Sequence, residues 1–187
     1  MEILRTAIPA VLRLTPRRFA DSRGDFCETW SARVFAAAGI AGPFVQDNLS
    51  RSIRSGTVRG LHCQAPPHAQ GKLVRAARGR ILDVAVDARC GSPTHGRWVA
   101  EALSAENGVQ LWIPHGFLHG FVTLEPDTEV AYKADGYYEA GSERSVRFDD
   151  PDLAIDWGVD PVAAVLSDKD AAAGAWTDFV SPFVYEA

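Results

Sequence analysis

Short runs of Val, Leu, Ile and aromatic residues return every dozen or so positions along this chain, and Gly, Pro, Asn or Asp stands between one run and the next. Runs of strand length bounded by turn formers, with almost no helical periodicity between them, point to an all-β sandwich or barrel. Strands are expected at 10–15, 44–50, 57–64, 72–77, 80–87, 97–104, 109–113, 118–124, 128–134 and 145–148. Asn107-Gly108, between Ala100–Leu103 and Val109–Ile113, is the strongest short hairpin signal. Only two helices are expected. Ser31 suits the N-cap of Ala32–Ala38 with Gly39 just past its end, and Asp170-Ala-Ala-Ala has helix propensity near the C-terminus. No repeat, low-complexity tract or linker divides the 187 residues, so one domain spanning 1–187 is expected, with a barrel core at about 44–148. A double-sheet barrel leaves an interior that a small ligand can occupy, which makes a cupin-type jelly roll with a few short peripheral helices the expected architecture.

Composition narrows the function. A net charge of −5 argues against nucleic acid as a partner, because binding it calls for a dominant basic face. An anionic ligand would then need a local basic cluster. The N-terminal segment, interrupted by Arg5 and Arg13, does not read as a secretory signal, and no apolar run approaches membrane-spanning length. Cys27, Cys63 and Cys90 lack metal spacing and are odd in number, which fits a reducing cytoplasm better than a disulfide framework.

Arg59-Gly-Leu-His62-Cys-Gln64, followed closely by Gln70-Gly-Lys72-Leu-Val, brings a guanidinium, an imidazole and an ammonium together on short β segments. That grouping suits removal of a proton next to a ketone: histidine titrates near neutrality and lysine supplies fixed positive charge where an enolate oxygen develops. A lone strand histidine is ordinarily a satisfied core residue, but Arg59, Gln64, Gln70 and Lys72 make this neighbourhood too polar for a core strand. Arg59 falls out of phase with His62, and Gly60 between them is read as a bulge that re-aims the arginine. The five histidines form no His-x-His pair with a following glutamate, so no metal is expected. Asp21-Ser-Arg23-Gly-Asp-Phe26-Cys-Glu28 reads as a polar turn or, with Arg59, as a diphosphate site. Gln46-Asp47-Asn48 offers groups that read a base edge or a sugar. In Ile113-Pro-His-Gly-Phe-Leu-His119-Gly-Phe121, His119 shares the interior face with Phe121. Tyr132 and Tyr138 serve as packing, or as a proton donor and a stacking ring. Asp170, in Ser167-Asp-Lys169-Asp170, either solvates a helix start or pairs with His62 and fixes its tautomer.

In this order the motifs resemble the dTDP-4-dehydrorhamnose 3,5-epimerase family: Asp-x-Arg-Gly-x-Phe-x-Glu, Gln-x-Asn-x-Ser, Arg-Gly-Leu-His-x-Gln, Gln-x-Lys-Leu-Val, Pro-x-Gly-Phe-x-His-Gly-Phe, Tyr-Lys and Ser-x-Lys-Asp, from about Ile8 to Asp170. The resemblance implies that His62 is the general base with Asp170 as its partner, Tyr132 the acid on the opposite face, and Lys72 the stabiliser of the enolate. Arg23, Phe26, Glu28, Gln46, Asp47, Asn48, Arg59, His119, Glu143 and Lys169 fall where the family holds the nucleotide diphosphate and sugar, and Tyr138 where a ring stacks on thymine. It further implies a dTDP-4-keto-6-deoxyhexose substrate, no metal or redox cofactor, and a homodimer exchanging N-terminal segments. Cys63 replaces a larger residue usual after the histidine and is expected to affect packing only. Inversion at C3 alone or C5 alone, a metal-dependent cupin enzyme and a non-catalytic sugar-nucleotide-binding barrel are the alternatives.

Overall fold

The computed structural model describes residues 1–40 and 42–186; Ala41 and Ala187 of the expected domain lie outside the described residues. In chain order the strands are β1 (Glu2–Arg5), β2 (Leu12–Thr15), β3 (Arg18–Asp21), β4 (Gly24–Cys27), β5 (Gln46–Ser52), β6 (Val58–Gln64), β7 (Lys72–Arg78), β8 (Arg80–Asp87), β9 (Trp98–Ser104), β10 (Gln110–Ile113), β11 (Phe117–Thr123), β12 (Thr128–Ala134) and β13 (Glu143–Ser145). Two short helices, α1 (Ala32–Ala37) and α2 (Asp168–Ala171), accompany them. A six-stranded sheet in the order β1-β2-β10-β7-β12-β5 faces a five-stranded sheet in the order β13-β6-β11-β8-β9, every ladder antiparallel. This is the expected jelly-roll sandwich.

Alternation explains the packing. Val74, Leu111, Ile113 and Val130 from one sheet meet Ile81, Ala85, Val99, Leu103, Phe117 and Phe121 from the other, forming the dry half of the interior. Fully burying each of the Val, Leu, Ile and Phe side chains in this set stabilises the fold by roughly 1.5–3 kcal/mol. The outer face of the five-stranded sheet is apolar too, because Val58, Leu61, Cys63, Val84, Val86, Leu118 and Val122 are roofed by Val146, Phe148, Leu153, Trp157 and Phe183 of the C-terminal third. Phe35 of α1 and Ile40 cap Leu14, Leu73 and Trp112 on the far side.

Five expectations change. Asn107-Gly108 does not close a hairpin: β9 pairs with β8, and β10 with β2 and β7, so the turn carries the chain from one sheet to the other. Asn107 Oδ1 accepts from the Ser104 and Val109 amides and Gly108 sits at φ +63, so the turn chemistry is real and its neighbours are simply not partners. Strands β1, β3 and β4 are additions to the expected set: β1 is a four-residue run with charges at both ends, and β3 and β4 carry Arg18, Asp21 and Asp25 among few apolar residues. The last strand is 143–145 rather than 145–148, because Phe148 leaves the ladder to join the C-terminal roof. The helix at Asp170 begins at Asp168, capped by the Ser167 hydroxyl, and ends at Ala171. In α1, Gly39 takes the left-handed φ of +81 past the helix end, but the Ser31 side chain makes no capping bond.

Candidate active site

His62 and Arg59 reach one hollow because β6 is irregular. Arg59 pairs with Phe121 and His62 with His119, so two residues of β6 oppose Gly120 alone. Gly60 at this bulge has φ +123, and a Cβ there would stand 2.6 Å from both the Gly120 Cα and the His119 carbonyl oxygen. Two glycines facing each other are what let the strand slip one position and bring the arginine into phase with the histidine. The hollow is about 450 Å³, with Arg59, His62 and His119 on the five-stranded sheet, Ser50, Lys72 and Tyr132 on the six-stranded one, and Ser167, Lys169 and Asp170 across its mouth.

His62 Nε2 lies 2.5 Å from Asp170 Oδ1, and the other carboxylate oxygen accepts from the Ser167 hydroxyl at 2.8 Å. Burial pushes the Asp170 carboxyl up, yet these bonds outweigh it and hold the group below the usual range. With Nε2 engaged, Nδ1 is the free nitrogen. Glu143 Oε1 stands 3.9 Å from it and accepts from Lys169 Nζ at 2.6 Å, while Oε2 accepts from the Tyr138 hydroxyl at 3.0 Å. Burial raises Glu143 as well, and these donors bring it below its ordinary value. Gln46 joins this rim, its Oε1 accepting from the Tyr138 amide and its Nε2 donating to Asn48 Oδ1.

Lys72 Nζ lies 5.9 Å from the centroid of the Tyr132 ring. Burial lowers the lysine pKa, with the carboxylates of Asp83 and Glu143 pulling the other way, and raises that of the Tyr132 phenol. His119 Nε2 is 2.7 Å from Asp83 Oδ1; burial lowers the imidazole pKa against the pull of this carboxylate. Asp83 was missed in the sequence. Its signal was a carboxylate inside the apolar run Ile81–Val86, on the same face as Ala85 and therefore pointing between the sheets. Ser50 and Ser167 also line the hollow, and as uncharged hydroxyls they carry no signal in the sequence that singles them out.

Four expected residues stand elsewhere. Arg23 and Phe26 lie on the β3–β4 hairpin, where Arg23 chelates Asp21 and borders a separate shallow concavity, and Glu28 is exposed just beyond it. Within one chain they do not meet His62. Asp47 alternates outward from Asn48 along β5 and pairs with Lys133 at 2.7 Å, in a hollow that also borders Asn48 and Tyr132. Cys63 is buried on the opposite face of β6 from His62, and burial pushes its thiol up to about 12, so it packs and does not react. Among the described residues no three His, Cys, Asp or Glu side chains come together as a metal site.

The family model described as dTDP-4-dehydrorhamnose 3,5-epimerase matches residues 5–178. The chain belongs to this family. A dTDP-4-dehydrorhamnose 3,5-epimerase from Pseudomonas aeruginosa is 50% identical over 179 residues, covering 95% of this chain and 97% of that one. A dTDP-6-deoxy-D-glucose-3,5-epimerase from Legionella pneumophila, solved with dTDP-4-keto-L-rhamnose, superposes with a TM-score of 0.95 at 44% identity, covering 100% of this chain and 99% of that one. ChmJ, a 3′-monoepimerase from Streptomyces bikiniensis solved with dTDP-quinovose, follows at 34% identity and a TM-score of 0.85, covering 91% and 86%. The part of the chain matched by the 3,5-epimerase family model includes every side chain that lines the hollow.

Proposed function

We propose that this isomerase inverts C3 and C5 of a dTDP-4-keto-6-deoxyhexose, without a metal or redox cofactor, in a deoxysugar route of the rhamnose type. The observation that carries the reading is that His62 and Tyr132 line one cavity from two different sheets, with Lys72 beside the phenol. A base and an acid on opposite walls are what an inversion needs, since the proton must leave one face of the carbon and return to the other. His62 Nδ1 takes the proton from the carbon next to the ketone, the electron pair moves to the C4 oxygen beside the Lys72 ammonium, and the Tyr132 hydroxyl returns a proton from the far side. Asp170 holds the imidazole by Nε2 and stabilises the imidazolium. Both carbons flank the same ketone, so one base serves both. In this reading Lys169, Glu143, Arg59 and His119 surround the sugar and diphosphate, and Tyr138, 53% exposed at the rim, covers the thymine. The higher identity to 3,5-epimerases than to the 3′-monoepimerase favours double inversion. Incubation with dTDP-4-keto-6-deoxyglucose in heavy water tests it: deuterium is expected at both C3 and C5 by NMR, label at one carbon identifies a single-position epimerase, and no label sinks the reading.

The hairpin β3–β4 supports a homodimer. Phe19 and Phe26 are cross-strand partners at 52% and 69% exposure, and a two-stranded ribbon with an uncovered aromatic pair is marginal by itself. Exchange of this N-terminal hairpin into a second copy covers the rings and delivers Arg23, Phe26 and Glu28 to that copy's hollow. Sedimentation at micromolar concentration is expected to show a dimer, and Arg23→Ala to raise KM; a monomer with unchanged KM would overturn the exchange. A cytoplasmic location fits the three free cysteines, and none of the described helices is long and apolar enough to cross a membrane.

A further inference from the structure

We propose that Ser167 is a positioning residue for the His62–Asp170 pair: its hydroxyl holds one carboxylate oxygen so that the other faces the imidazole. The inference rests on the epimerase reading above. His62 and Asp170 are 108 positions apart, and their contact depends on how the segment before α2 is laid against the barrel. Val165 anchors that segment to the approach to β6, its carbonyl accepting from the Val58 amide at 3.0 Å and its own amide donating to the Gly56 carbonyl at 2.9 Å. The strap is thus registered to the strand that carries His62. Two residues on, the Ser167 hydroxyl oxygen accepts from the Asp170 amide at 3.2 Å and the hydroxyl donates to Asp170 Oδ2 at 2.8 Å.

Serine therefore does two jobs at once. As N-cap it fixes the single turn that presents Asp170. As donor it occupies Oδ2, leaving Oδ1 for His62 Nε2 at 2.5 Å. A carboxylate bonded on one side only is free to rotate about its terminal torsion, which is broad and two-fold, and would orient the imidazole poorly. The charged groups that face Asp170 are His62 from β6 and Lys169 from its own turn, with Glu143 of β13 beyond them. Ser167 is the uncharged member that ties the carboxylate to the backbone of α2.

Ser167→Ala, Ser167→Gly and Ser167→Thr separate the two jobs. Glycine is a tolerated N-cap without a hydroxyl, and threonine keeps both bonds. Ser167 is exposed in a four-residue turn, so the variants are expected to fold, which thermal denaturation checks. Alanine and glycine are expected to lower kcat roughly tenfold to a hundredfold with little change in KM, as misplacement of a catalytic group does. The acid limb of their kcat profile is expected to move to higher pH, because Asp170 loses one of the bonds that hold its pKa down. Threonine is expected to restore both. Unchanged kcat and limb in the alanine variant, equal loss in threonine, or full activity in glycine would each overturn the assignment. The wild type is run beside them in heavy water: no label there means the epimerase reading has failed, whereas normal label with an indifferent Ser167→Ala means only this assignment has.

Discussion

His62→Asn is expected to lower kcat by roughly two to four orders of magnitude, the range that a positioned general base supplies. Asparagine keeps a planar polar group on β6 that can still hydrogen-bond Asp170, but it cannot take a proton near neutral pH. KM is expected to stay close to that of the wild type, because Arg59, Lys169 and the rim formed by Glu143 and Tyr138 do not depend on the imidazole for their place. The decisive readout is isotopic. Deuterium incorporation from heavy water should disappear at C3 and C5 together, since in the proposed mechanism both hydrogens leave to the same nitrogen. The rival base is His119, which lines the same hollow but is nearly enclosed, bound through Nε2 to Asp83 and lowered by burial. Label that persists at one carbon in His62→Asn would assign that carbon to a second base, and label that persists at both would remove His62 from the role.

How far the sequence carried this site depends on whether a residue's neighbours are local. Arg59, Gly60 and His62 were readable together because three positions on one strand decide their phase, and the bulge that aligns them needs only a glycine at the right place. Lys72 was readable for the same reason, one turn and one strand away. The contact between His62 and Asp170 is not local: it is set by the strap bonded to Val58, and nothing in the spacing of the two residues contains it. The Asn107-Gly108 turn shows the limit from the other side. Its chemistry was visible, but whether a tight turn joins partners or switches sheets depends on where β10 finds better neighbours, which are β2 and β7. Asp83 was missed although its signal was present, because an acid in an apolar strand is informative only once the inward face is known. Arg23, Phe26 and Glu28 mark a further limit, since a single chain leaves their hairpin without a covering surface.

Lys72→Met is expected to cost roughly 10²–10³ in kcat, about 2.7–4 kcal/mol, as removal of a preorganised donor to a developing oxyanion does. Methionine keeps the length and apolar stem while removing the charge, so the strand and the Tyr132 packing against it are retained. The loss belongs in kcat because the ground-state ketone is only weakly polar, whereas the enolate oxygen carries nearly a full charge that the ammonium meets. Nucleotide affinity should change little, since on the proposed reading the diphosphate is met by Arg59 and Lys169. The pH profile gives an independent check whose sign follows from burial. Desolvation lowers the Lys72 pKa and raises that of Tyr132. In the wild type, activity needs both groups protonated and is expected to fall as pH rises through the lower of the two; a basic limb that moves to higher pH once the lysine is gone would assign that limb to Lys72. A basic limb that stays where it was would assign that limb to Tyr132 from the start. An unchanged kcat would mean that the enolate is stabilised by another group in the hollow, and His119, one of the nitrogen donors on the facing wall, would be the next residue to replace.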